Sequence, residues 1–254
     1  MIDWTDIYAA IWRSHRETLH GIHDIDPISL ASLVGIDRQK ELLINNTKRL
    51  IDSLPANNAL LWGSRGTGKS SLIKAIFNEF CSQGLRIIEV DKNDMIYLAD
   101  LVDDIRDEKF KFIIYCDDLS FENSETSYKS LKRVLDGSIE APPKNVLVYA
   151  TSNRRHLMPE YMRDNRETQL IDDELHYSDA VEEKIALSDR FGLWISFYPI
   201  SIDDYLKIVL AYFNGVEIDK KALLAAATEF ASLRGTHSGR TAYQFYRSYL
   251  QTKS

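Results

Sequence analysis

The chain has 254 residues, 44% of them hydrophobic, and a formal net charge of -7. This content supports one large domain, or a medium one with a smaller unit attached, and excludes an intrinsically disordered chain. The acidic balance argues against a free-standing nucleic-acid-binding domain, which carries a net basic face, and leaves room only for a local basic patch.

The first residues, Met1-Ile2-Asp3-Trp4-Thr5-Asp6, begin acidic and contain no apolar signal core. With no apolar stretch long enough to span a bilayer, a soluble cytoplasmic protein with no membrane partner is expected. Cys81 and Cys116 both fall inside predicted core elements and read as reduced thiols. Trp4, Ile7, Tyr8, Ile11, His15 and Leu19 recur at helical spacing, which predicts an amphipathic first helix. His20-Gly21-Ile22-His23-Asp24 has metal-binding residue types but sits in a turn that offers no converging third or fourth ligand. Leu33-Val34-Gly35-Ile36-Asp37 then leads into a predicted helix from Gln39 to Leu54. Two readings stay open for Val34 and Gly35: a segment that grips adenine ahead of a phosphate loop, or an ordinary turn into a helix.

The phosphate loop itself is Gly63-Ser64-Arg65-Gly66-Thr67-Gly68-Lys69-Ser70, followed by Ser71. A short apolar run, Ala59-Leu60-Leu61-Trp62, precedes it as a buried strand, and apolar residues at helical spacing follow it to Phe77. Strand, glycine-rich turn and helix are the context the pattern requires. Glycines let successive N–H groups point at phosphate oxygens, and the helix adds its positive end. Lys69 is placed to reach the β- and γ-phosphates and Ser70 to ligate magnesium. A nucleoside triphosphate is the ligand these residues imply.

Leu85 to Val90 reads as a second strand and Asp94 to Glu108 as a helix. Phe110 to Cys116 is an apolar strand that ends in Asp117-Asp118. Asp117 can hold the magnesium ion, and Asp118 can act as base toward the attacking water. Asp118 is one methylene shorter than glutamate, and Glu122 is the alternative base. Thr126 to Leu135 reads as a helix, and Asn145 to Ala150 as a strand ending in Thr151-Ser152-Asn153-Arg154-Arg155. Asn153 either contacts the γ-phosphate and its water or caps the following turn. From Arg154 to Lys184 charges of both signs mix, as in a solvated insertion or a partner contact. Leu187-Ser188-Asp189-Arg190-Phe191-Gly192 closes a helix, and Leu193 to Phe197 is the last strand. After Pro199 three helices fit, Asp203 to Phe213, Asp219 to Leu233 and Gly239 to Leu250. Arg240, at the start of the last, opposes the helix dipole and calls for an anionic partner.

With these residues in order, the chain resembles the AAA+ ATPases, P-loop NTPases, from Leu33 onward. Asp117 to Glu122 and Thr151 to Leu157 are most similar to a bacterial AAA+ group described only as a domain of unknown function. The resemblance implies a five-stranded parallel sheet flanked by helices, followed by a small all-helical lid. It divides the chain into an N-terminal helix and linker (1–32), a nucleotide-binding α/β domain (33–198) and a lid (199–254). It gives Asn153 the role of first sensor, Arg190 that of an arginine finger, and Arg240 that of second sensor. The finger acts in trans, so a homo-oligomeric ring or open helix is implied. The expected activity is hydrolysis of ATP to ADP with Mg2+, catalysed through Lys69, Asp118, Asn153 and Arg190, and coupled to an unidentified protein client. A slowly hydrolysing ATP-gated switch is the second reading, and a DNA-associated loader or initiator the third.

Overall fold

A computed structural model describes residues 2–120, 127–136, 141–153 and 187–251. Seven strands form one sheet: β1 (Ala9–Arg13), β2 (Thr18–Ile22), β3 (Ala59–Gly63), β4 (Leu85–Glu89), β5 (Lys111–Cys116), β6 (Val146–Ser152) and β7 (Leu193–Phe197). Their order is β2-β1-β4-β5-β6-β3-β7, and every neighbouring pair is parallel except β1 with β2.

The central strands read as continuous apolar runs because both faces of the sheet are covered. Side chains alternate between the faces, so neighbours in sequence enter different cores. Leu60, Ile88, Phe112, Ile114, Val148 and Ala150 join one core with α3 (Leu98–Ile105) and Leu131 of α4 (Ser127–Asp136). Leu61, Ile87, Ile113, Tyr115, Leu147 and Tyr149 join the other with α1 (Asp37–Ile51) and α2 (Lys69–Phe80). The helix expected over 94–108 starts as a 3-10 turn, Lys92–Tyr97, and becomes α-helical only at Leu98.

The expected five strands are present as β4, β5, β6, β3 and β7, but the count is corrected to seven. The two additional strands come from the segment whose spacing suggested a helix. Ala9 enters one core and Ala10 the other, which is strand alternation, not helical periodicity. Ser14–Arg16 and the left-handed Glu17, at φ 48°, reverse the chain so that β2 returns along β1. Without β1, the backbone of β4 would be an unpaired edge. Instead β1 pairs with it from Ala9 to Ile11, and the Ile87 amide donates to the Tyr8 carbonyl. A 3.6-residue pattern made of aromatic and β-branched residues competes poorly with that pairing.

After β7 the chain forms α5 (Ile202–Tyr212), α6 (Lys220–Arg234) and α7 (Gly239–Gln251), each within two residues of expectation. Ser201 and Asp219 cap the first two with their side-chain oxygens, and Gly235, at φ 64°, ends α6. A third core, built on Tyr205, Val209, Phe213, Leu223, Ala227 and Phe245, consists only of residues from these helices and their connections. Among the described residues no helix is long and apolar enough to cross a membrane.

Candidate nucleotide site

At the carboxyl end of β3, Gly63 crosses so close to β7 that a Cβ there would lie 1.9 Å from the Phe197 carbonyl oxygen. The next amide, Ser64 N, donates to that same oxygen at 3.1 Å. Gly66 and Gly68 follow at φ 74° and 97°, in the left-handed region, and turn the chain into α2 at Lys69. The loop is therefore anchored to the last strand and aims the unpaired first-turn amides of α2, which include Ser70 and Ser71, out of the sheet. Arg65 is exposed at the loop's outer side, and Thr67 Oγ1 closes it by donating to the Ser64 carbonyl at 2.7 Å.

The two acids approach from β5. Asp117 Oδ1 accepts from Ser70 Oγ at 2.7 Å and from Thr151 Oγ1 at 2.6 Å. Burial pushes the Asp117 pKa upward, but hydrogen bonds from Thr151, Ser70 and Tyr115 outweigh it and hold the carboxyl below its ordinary range. Asp118 adopts φ 51° and accepts from Asn153 Nδ2 at 2.6 Å. Asn153 Oδ1 in turn accepts from Lys69 Nζ at 3.3 Å. Lys69 is only 7% exposed and also donates to the Gly63 and Ser64 carbonyls at 2.8 and 2.7 Å. Desolvation lowers its pKa, opposed by the nearby charges of Asp117 and Asp118. The structure thus brings Lys69, Ser70, Asp117, Asp118 and Asn153 into one hydrogen-bonded cluster. The Ser70 hydroxyl and Asp117 carboxylate are hard oxygen donors side by side. With phosphate and water oxygens they fit the octahedral shell of Mg2+, which takes few protein ligands.

Gly35, which follows Val34 in the chain, borders the same region. Ile36, next in the chain, has its Cδ1 3.6 Å from where a Cβ on Gly68 would be. Gly35, at φ 80°, faces Asp204 of α5 at 3.6 Å. Ile36 thus meets the phosphate loop while Gly35 meets the helical tail. The start of α7 meets that loop directly: Gly239 N donates to the Gly66 carbonyl at 3.0 Å, and Arg240 Cβ lies 3.7 Å from the Cβ position of Gly66. A side chain at Gly66 would come within 2.9 Å of Ser238. Gly66→Ala is expected to cost about 1–2 kcal/mol of backbone strain alone, lowering the melting temperature by about 2–8 °C in a thermal scan.

Arg190 stands apart from this cluster. It follows helical residues 187–189 and pairs with Asp136 at the end of α4. β7 starts at Leu193 opposite Ala59, the first residue of β3, whereas the phosphate loop leaves from Gly63 opposite Phe197. Arg190 therefore sits at the other end of the sheet from its own chain's loop. Glu122 and the arginines Arg154, Arg155, Arg163 and Arg166 lie outside the described residues.

Two site residues escaped the sequence reading. Thr151 bridges the acids, and its signal was available: it lies near the end of β6, two residues before Asn153. Tyr115, whose hydroxyl contacts Asp117 and Ser70 and whose pKa burial pushes up, reads in sequence only as strand interior.

Comparison with known proteins identifies the family and the fold. Residues 5–253 match the family described as protein of unknown function (DUF815). The chain belongs to this family. The DUF815 chain has the AAA+ fold: the Thermotoga maritima RuvB Holliday junction branch migration motor superposes with a TM-score of 0.51. That match covers 87% of this chain and 72% of RuvB at 13% identity, and a variant of the same RuvB gives the same figures. The replication factor C large subunit of Ignicoccus hospitalis is 35% identical over 77 residues, 30% of this chain. The matched stretch spans 16% of that curated relative's length.

Proposed function

We propose that this protein is a magnesium-dependent ATPase that hydrolyses the β–γ bond by in-line attack of water. The observation that carries this reading is the cluster in which Asn153 links Lys69 of the phosphate loop to Asp118, while Ser70 meets Asp117. Lys69 would leave the loop carbonyls for the β- and γ-phosphates. Ser70 and Asp117 would hold Mg2+, which supplies charge neutralisation on the transferred group. Asp118 would orient the water, and Asn153 would position the γ-phosphate against it. Val34 and Gly35 would hold adenine beneath the helical tail. The tail, from residue 199, would act as a lid whose position follows nucleotide state through Arg240 and the Gly239–Gly66 hydrogen bond. Arg190 would complete the site of a neighbouring copy, so turnover would require a homo-oligomer. ATP binding would then drive assembly on, or remodelling of, a protein client. RuvB is a Holliday junction branch migration motor, yet the net charge of -7 favours a protein client over nucleic acid here.

A specific observation also favours the slowly hydrolysing switch. Asp118 is short, its amide and one carboxylate oxygen are both engaged, and its backbone is held left-handed. Steady-state hydrolysis with Mg2+, in wild type and Asp118→Ala, separates the two. For the ATPase, Asp118→Ala retains ATP binding and loses turnover by at least about a hundredfold. A low wild-type rate that Asp118→Ala leaves unchanged would establish the switch.

A further inference from the structure

We infer that Thr151 is a positioning residue that sets the geometry of both acids at the nucleotide site. The inference rests on the ATP and magnesium roles proposed above. Thr151 is 2% exposed and touches three consecutive residues of the neighbouring turn. Its hydroxyl donates to Asp117 Oδ1 at 2.6 Å, and the same oxygen accepts from the Asp118 amide at 3.0 Å. Its backbone carbonyl accepts from the Leu119 amide at 2.7 Å. A threonine hydroxyl has one proton to donate, and here it goes to the carboxylate that faces Ser70.

The two side-chain bonds have different consequences. Donation to Asp117 occupies one lone-pair direction of Oδ1 and fixes the rotation of the carboxyl group beside the Ser70 hydroxyl. Acceptance from the Asp118 amide pins a non-glycine residue at φ 51°, a conformation that persists only where surrounding contacts determine it. That turn lets Asp118 leave the strand direction and meet Asn153. Asn153 is two residues beyond Thr151, so one strand end orients the magnesium-side acid and the water-side acid together. β6 also pairs with β3, Thr151 lying opposite Leu61 just ahead of the phosphate loop. A displacement of the loop that shifts β6 would move both acids in concert.

Thr151→Val keeps the shape and removes the hydroxyl, and Thr151→Ser keeps the hydroxyl. The readout independent of turnover is the Mg2+ concentration needed for half-maximal binding of a fluorescent, slowly hydrolysed ATP analogue. Loss of an outer-shell partner weakens metal affinity or activity by about 10–100-fold. Thr151→Val is therefore expected to raise that Mg2+ concentration by about 10-fold or more and to lower kcat, with analogue binding in EDTA unchanged and the melting curve cooperative. Thr151→Ser should restore both to within about threefold of wild type. Equal magnesium dependence in wild type and Thr151→Val would overturn the inference, as would a Thr151→Ser variant as impaired as Thr151→Val. A wild type that binds the analogue with magnesium but does not turn over would remove the hydrolysis reading, while the binding comparison still decides the role of Thr151. Absence of any magnesium-dependent binding would overturn both.

Discussion

Arg190→Ala is expected to lower the specific ATPase rate by about a thousandfold while leaving ATP affinity within about threefold of wild type. The wild-type rate per protomer should rise with protein concentration as copies assemble. Both effects come from one geometrical fact: Arg190 lies beyond the start of β7, and the phosphate loop lies beyond the opposite end of the adjacent strand. In the proposed homo-oligomer its guanidinium would serve another chain's nucleotide. Within the single chain Asp136 engages it, so the proposed assembly would exchange a carboxylate partner for a phosphate. Arg190→Lys should recover little, because an ammonium cannot reproduce the planar fork that bridges two oxygens. Mixing Arg190→Ala with Lys69→Ala provides the sharper measurement. Neither variant alone should be active, but a mixed assembly would contain sites with an intact loop facing an intact finger. Recovery of turnover on mixing supports action in trans, and no recovery at any ratio would sink it.

Arg86→Ala is expected to destabilise the protein by about 4 kcal/mol, a large share of the stability of an ordinary domain. Arg86 is 3% exposed on β4 and has its charge dispersed over neutral partners. Its Nε donates to the Trp4 carbonyl at 2.7 Å, and one terminal nitrogen donates to the Cys81 and Leu85 carbonyls at 3.1 and 2.9 Å. The guanidinium carbon stands 4.4 Å from the Tyr8 ring centre and 4.0 Å from that of Phe110. Desolvation lowers its pKa, and the ring faces and carbonyl oxygens replace the lost water. Truncation leaves buried carbonyls unpaired and uncouples the segment before β1 from the sheet. Urea unfolding should show the loss, and hydrogen exchange should locate it in residues 2–22. Exchange that rises evenly over the whole sheet would argue against a local anchor.

How far the sequence could be read depended on whether the physics was local. Gly63, Gly66 and Gly68 are required by backbone angles and close approach within a few residues, so the phosphate loop announces itself. Asp117-Asp118 at a strand end gains meaning from the loop before it. The C-terminal helices show because Ser201, Asp219 and Gly235 mark their ends by chemistry that acts within one turn. The first strand pair was not legible. Tyr8, Ile11, His15 and Leu19 match a helix as written, and only β4, whose edge must be covered, makes β1 extend. Thr151 was overlooked although its spacing from Asn153 was there to read, because its importance lies in hydrogen bonds to Asp117 and Asp118 that no residue pattern spells out. The departure of Arg190 from its own loop likewise becomes visible only when β7 is seen to run alongside β3.

The cover over β4 also sets an order of events during synthesis. The Trp4 carbonyl meets the Arg86 side chain across 82 residues of chain. At ribosomal speed, about 5–20 residues per second, that interval lasts about 4–16 s. For those seconds the strand pair β1–β2 exists without the sheet it belongs to, and an isolated two-stranded hairpin is at best marginally stable. Its Ala-Ala-Ile-Trp stretch then resembles an exposed sticky strand, with the basic Arg13 and the polar Ser14-His15-Arg16-Glu17 turn as its nearest gatekeepers. The newborn chain is therefore most vulnerable to mispairing before β4 emerges, and chaperone capture during that window would act on the segment that later seals the sheet.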